Sequence, residues 1–173
     1  MSIEESYESF PKIVLITFTM IGIITKLMLS MFVSLNDGTF GSANTSIWGN
    51  LIIIISLISY LCIDTNLQED NIYPISLLIM MLLWDTTIAY KYFERINKKE
   101  IPYIYYSWVR FSNLLILSFI LLMLYNLLYI EDASEKQKTT GFLYIIGFFS
   151  LFIIGIQQTI LDNFMVDSDK IVR

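Results

Sequence analysis

Leu114-Leu115-Ile116-Leu117-Ser118-Phe119-Ile120-Leu121-Leu122-Met123-Leu124 is the stretch whose reading decides the fold. A helix on the surface of a soluble protein carries a polar face that returns every 3.6 residues or so. No such face returns here, and Leu51-Ile52-Ile53-Ile54-Ile55 is equally apolar all round. Backbone polar groups in lipid must be satisfied within their own segment, so helices are the natural form for such runs. A β-barrel would alternate polar and apolar residues, and these runs do not. Their isoleucines have strand propensity, but the length of the runs decides for helix.

Working outward, the chain holds five runs of this kind. A hydrocarbon core of roughly 30 Å needs about 20 helical residues at roughly 1.5 Å rise each. The spans are predicted at Ile13–Leu35, Ile47–Ile63, Ile72–Tyr92, Tyr105–Tyr129 and Gly141–Leu161. The second is the shortest. The expected architecture is an all-α membrane protein, one domain over residues 1–173, built as a bundle of about five transmembrane helices, or four if one span does not cross. Fifty-five per cent of the 173 residues are hydrophobic, which leaves no stretch for a separate water-soluble domain. Function is therefore expected within the membrane or on the short loops.

The connections are short. Residues 1–10 read as an acidic tail with Glu4, Glu5 and Glu8, and Pro11 suits a first helical position. Asn36–Ser46 reads as a Gly- and Ser-rich loop ending in Ser46 as N-cap. Asp64–Asn71 reads as a tight acidic loop, with Asn71 capping the third span and Pro74 in its first turn. Phe93–Ile104 is the basic loop, Ile130–Thr140 is mixed in charge, and Asp162–Arg173 reads as a charged tail. The first span is not expected to be a signal peptide, because it is long and its leader is acidic. Trp48, Tyr73, Tyr90, Tyr92, Tyr103, Tyr105, Tyr106, Trp108, Tyr125 and Tyr129 fall at span ends, as interfacial belts do.

Five crossings place the termini on opposite sides. The N-terminal side carries three cations, Lys12, Lys136 and Lys138. The other side carries six, Lys91, Arg95, Lys98, Lys99, Lys170 and Arg173. The positive-inside rule then makes the C-terminal side the cytoplasmic one.

Lys26 and Arg110 lie within spans, as does Asp85. Lys26 is the fourteenth residue of the first span and Asp85 the fourteenth of the third, and both spans run the same way. The two side chains thus reach similar depths. A charge at the bilayer centre costs at least about 2.5–3.5 kcal/mol. Lys26 and Asp85 are therefore expected to face the bundle interior and pair, with Arg110 competing for Asp85 or snorkelling to the headgroups. Gly22, Lys26, Ser30 and Ser34 recur every four residues and form one small, polar face, which lets helices approach closely. Gln157 and Gln158 complete this intramembrane polar cluster and read as interhelical hydrogen-bond glue. The cluster has two readings, a structural pair or an ion path.

Several functions are disfavoured by what the sequence lacks. There is no histidine, the commonest general base and metal ligand. One cysteine, Cys62, allows no internal disulfide. No phosphate-binding glycine loop, nucleophile elbow or zinc-type spacing occurs. The expectation is a protein that is not an enzyme, with no catalytic, metal or cofactor site and no cofactor. A net charge of −5 argues against nucleic acid as a partner. Expected partners are the lipid bilayer and other membrane proteins, and an oligomer is compatible with the pattern. On the side-B surface (the C-terminal side), Arg95, Lys98, Lys99, Tyr103, Tyr105, Tyr106 and Trp108 join cations to interface aromatics, as a partner-contact loop or a general membrane anchor would.

Three stretches look like a known group. They are Ser46-Ile47-Trp48-Gly49, Ile101-Pro102 with Tyr105-Tyr106-Ser107-Trp108, and Gln157-Gln158-Thr159-Ile160-Leu161 leading to Phe164 and Asp167. Together they resemble the small multi-span membrane proteins of large icosahedral nucleocytoplasmic DNA viruses, over about residues 46–167. The chain departs from that pattern at Asn50, where an aromatic is expected, and at Ser168, where glycine is. The resemblance implies a non-catalytic structural component of the virion's internal membrane that anchors or contacts capsid proteins. A second reading of the residues is a small ion channel or transporter subunit that uses Lys26, Asp85 and Arg110.

Overall fold

The computed structural model describes the backbone of residues 3–34, 39–63, 69–95 and 103–170, and the side chains of residues 10–26, 46–63, 71–91 and 107–163. It contains five α-helices in sequence: α1 Ile3–Ser34, α2 Thr39–Ile63, α3 Glu69–Arg95, α4 Tyr103–Leu128 and α5 Ala133–Lys170. No strand occurs among the described residues. The all-α bundle expected from the apolar runs is the fold observed.

Four of the described segments, within α2, α3, α4 and α5, are long and apolar enough to cross a bilayer. This fits a multi-pass membrane protein. The remaining expected span, Ile13–Leu35, runs beyond the described side chains of α1. Large apolar side chains such as Ile55, Leu114, Ile145, Phe148 and Phe152 point outward. In water such a surface would drive aggregation, whereas acyl chains accommodate it without penalty.

Helices α3 and α5 exceed the predicted spans at both ends, and α1, α2 and α4 at their starts, and the corrections have physical causes. Helix α1 begins at Ile3, so residues 3–10 are not an irregular tail and Pro11 sits inside the helix rather than at its start. The acidic residues Glu4 and Glu5 then occupy a helix N-terminus, where negative charge is favourable. Helix α2 starts at Thr39, which places Ser46 within the helix instead of at its cap. Helix α3 starts at Glu69. Asn71 lies inside it with a buried Oδ1 that has no hydrogen-bond partner, so it does not cap the helix. Arg95 closes α3 in its last turn, where a cation suits the helix dipole.

The fourth loop is far shorter than Ile130–Thr140. Asp132 caps α5, its Oδ1 accepting from the backbone N–H groups of Ser134 at 2.8 Å and Glu135 at 3.1 Å. That capping starts the helix at Ala133, well before the apolar run begins. Helix α5 then continues through the expected tail to Lys170, 38 residues in all. At about 1.5 Å per residue it is roughly twice as long as a hydrocarbon core is thick, so its charged ends extend beyond the apolar layer.

Helix α3 is the centre of the bundle. It packs against α2 on one side and against α5 and α4 on the other. Helix α1 lies along α2 and touches α4 only slightly, while α4 and α5 pair as a hairpin. Leu78, Met81 and Leu82 of α3, Leu57 of α2, and Phe119 and Ile120 of α4 are buried in the common core.

Candidate functional site

The site is built where α1, α2 and α3 meet. Two glycines allow the approach. A Cβ on Gly22 would collide with the Ile53 side chain and stand 3.0 Å from the carbonyl oxygen of Gly49. One on Gly49 would stand 2.7 Å from the Lys26 Cβ and 2.9 Å from its backbone nitrogen. The two backbones therefore touch at a crossing that only glycine permits. One turn beyond Gly22, Lys26 is carried directly over Asn50, the neighbour of Gly49.

Lys26 Nζ donates to Asp85 Oδ2 at 2.6 Å and to Asn50 Oδ1 at 2.8 Å. Asn50 Nδ2 donates in turn to the same Asp85 oxygen at 2.8 Å and to Thr86 Oγ1 at 3.1 Å. Leu82 O lies 3.4 Å from that amide and accepts the Thr86 hydroxyl at 2.7 Å. All three principal residues are buried: Lys26 is 3% exposed, Asp85 7% and Asn50 0%. The charges cancel, and the amide of Asn50 bridges them by accepting from the cation and donating to the anion. A buried pair of this kind is better tolerated where fixed neighbours share its hydrogen bonds, as the Asn50 amide does with both charges here.

A second polar contact stands about two to three turns toward the N-terminal side. Thr19 Oγ1 and Ser56 Oγ lie 3.3 Å apart, and Ser56 donates to Leu15 O at 3.2 Å. Beside Lys26, a cleft lined by Ile23, Ile53, Asn113, Ile116, Leu117 and Ile120 offers about 10 Å³ to a water-sized body. That is room for one water at most.

Of the intramembrane residues singled out from the sequence, the structure brings Lys26 and Asp85 together. It leaves Arg110 apart: that side chain is exposed on α4 and takes no part in the Lys26–Asp85 pair. Helix α2 lies between α1 and α3, so Asn50 occupies the place beside Asp85 that Arg110 was expected to contest. Gln157 and Gln158 serve a different seam. Trp84 Nε1 donates to Gln158 Oε1 at 2.6 Å, and Gln157 Nε2 donates to Trp108 O at 2.9 Å, tying α5 to α3 and α4. Asp85 and Trp84, adjacent in sequence, thus face opposite halves of the bundle.

Trp108, from the expected partner-contact loop, lies on α4 with its ring 6.3 Å from that of Phe111. Arg95, Tyr103, Tyr105 and Tyr106 are helical, but their side chains, with Ser30 and Ser34, lie outside the described residues, as do Lys98 and Lys99 altogether. Asn50 was the residue undervalued by sequence reasoning. It is the one carboxamide in the second span, next to a glycine, and that juxtaposition was the available signal. Among the described residues no group of three His, Cys, Asp or Glu side chains could hold a metal ion.

Comparison of the chain with protein-family models, with curated proteins and with solved structures returns no match in any of the three.

Proposed function

We propose that this chain is a non-enzymatic anchoring protein of a bilayer, a structural component of a viral particle's internal membrane that contacts capsid proteins. One observation supports the structural half of this reading: the Lys26–Asn50–Asp85 cluster is held together by hydrogen bonds from within the bundle. Each charge is met by a fixed neighbour, and the space beside it admits no more than one water. An ion or proton path needs polar groups and water in series, whereas this cluster closes on itself. Its effect is to fix which face of α1 meets α2 and α3. The viral half rests on the resemblance at residues 46–49, 101–108 and 157–167.

In this reading side B, carrying Arg95, Lys98 and Lys99, is the cytoplasmic surface and the docking face. The test is composition of purified particles from the source. The chain should be present in amounts stoichiometric with the capsid lattice, and Lys98 or Lys99 should cross-link to a capsid protein. Absence from the particles would refute the viral assignment. Proton or ion flux through reconstituted vesicles, abolished by Lys26→Met in a chain that still folds, would replace anchoring with the channel or transporter reading.

A further inference from the structure

Helices α1 and α4 barely touch, and the small cleft beside Lys26 lies where they and α2 come together. Its polar lining residues are Lys26 from α1 and Asn113 from α4. The rest of the wall is aliphatic, Ile23 and Ile53 on one side and Ile116, Leu117 and Ile120 on the other.

Both polar groups hold hydrogen-bonding capacity that the cluster does not use. The Lys26 ammonium has three N–H groups. One goes to Asp85 Oδ2 and one to Asn50 Oδ1. Tetrahedral geometry turns the third away from both. Asn113 is half-buried within the apolar part of α4, and no hydrogen bond ties its carboxamide to another of the described residues. Hydrocarbon offers neither an acceptor to the ammonium nor a donor to the carboxamide. A cavity with purely apolar walls stays dry, whereas one flanked by polar groups takes water. Size and charge then choose the occupant. The space of about 10 Å³ fits one water and nothing larger. Lys26 and Asp85 already cancel. An added anion would stand near the Asp85 carboxylate with no cation of its own, and an added cation would meet the ammonium. The fitting ligand is neutral, and it both accepts and donates.

We infer that the α1–α4 cleft binds one water molecule, which accepts from the third N–H of Lys26 and donates to Asn113 Oδ1. The Lys26–Asn50–Asp85 cluster thereby extends from α1, α2 and α3 to α4. A bridging water is nearly as favourable in enthalpy as a direct hydrogen bond. Here it gives α1 and α4 a polar link where their direct packing is slight. The site depends on the helix packing alone and stands whether or not the chain belongs to a viral particle.

Unfolding equilibria of the full chain in mixed micelles, with NMR of the chain carrying isotope-labelled lysine, test this. Asn113→Leu should raise the unfolding constant about tenfold, because the water loses its acceptor. A carboxamide that faced lipid would give the opposite sign, since leucine suits hydrocarbon better. The Lys26 ammonium signal, identified by its disappearance in Lys26→Arg, should show a cross-peak to a long-lived water. That cross-peak should vanish in Asn113→Leu and in Leu117→Phe, which fills the cleft and leaves every polar group in place. Ser118→Leu, at an exposed position of α4, should leave it intact. Asn113→Leu as stable as the wild type or more so, no cross-peak in the wild type, or its survival in Leu117→Phe would overturn the inference. Stability that rises with chloride at constant ionic strength would also overturn it, by placing an anion in the cleft. Helix content by circular dichroism confirms that each variant is folded.

Discussion

The two halves of the bundle are joined to α3 by different chemistry. On the α1–α2 side, glycines bring backbones into contact and a charged triad of Lys26, Asn50 and Asp85 closes over the crossing. On the α4–α5 side, the bonds are neutral. Gln158 meets the Trp84 indole, Gln157 meets a backbone carbonyl, and aromatic rings pack edge to face, as Phe111 does with Phe149 at 6.2 Å. The contrast separates two ways of specifying helix packing where no water drives association. The first seam has one permitted geometry, because a misplaced charge in lipid is severely penalised. The second is held by large adaptable surfaces, and each polar bond there contributes modestly.

The largest effect is expected from breaking the charged seam. Lys26→Met leaves Asp85 buried without its cation and should destabilise the bundle by about 3–5 kcal/mol. The double variant Lys26→Met/Asp85→Leu should recover most of that loss, since Asn50 keeps Thr86 and Leu82 O as acceptors. Reversible unfolding in mixed micelles measures both. A double variant as unstable as the single one would show that the charges do more than match each other.

Next comes the crossing itself. Gly49→Ala places a methyl against the Lys26 backbone, which cannot swing aside, so a loss of about 1–3 kcal/mol is expected. Gly147→Ala should cost less, because its methyl meets the movable ends of the Leu77 and Phe119 side chains. If the order reverses in the same unfolding assay, the close approach of α1 and α2 is not what holds that half.

Gln158→Leu probes the neutral seam. Loss of the Trp84 partner should cost no more than about 1.7 kcal/mol, the upper end for side-chain hydrogen bonds between helices in membranes. A value equal to that of Lys26→Met would erase the distinction between the two halves. The smallest effect belongs to Gly141→Ala. Nothing lies within 4 Å of the added methyl, so relief of glycine's conformational freedom should stabilise α5 by about 0.5–1 kcal/mol.

Much of this was legible in the chain. The apolar runs gave the helices, and the matched depths of Lys26 and Asp85 gave the pair. Helix ends were less legible, because the hydropathy of Gly141–Leu161 stops where the lipid does, whereas the Asp132 cap starts α5 eight residues earlier. Asn50 was harder still. A carboxamide beside a glycine in an isoleucine-rich helix can face lipid, a neighbour or a cavity, and sequence spacing does not choose among them.

By itself the sequence determined the class of protein and the depth of each charge, because both follow from length and from the cost of moving side chains into lipid, residue by residue. Only the tertiary structure decided the rotation of each helix about its own axis. That rotation turns by about 100° with every residue, and here it is set by the Gly22–Gly49 contact. It delivered Asn50 to the Lys26–Asp85 pair, while the packing of α4 on α5 and α3 left Arg110 on the outside.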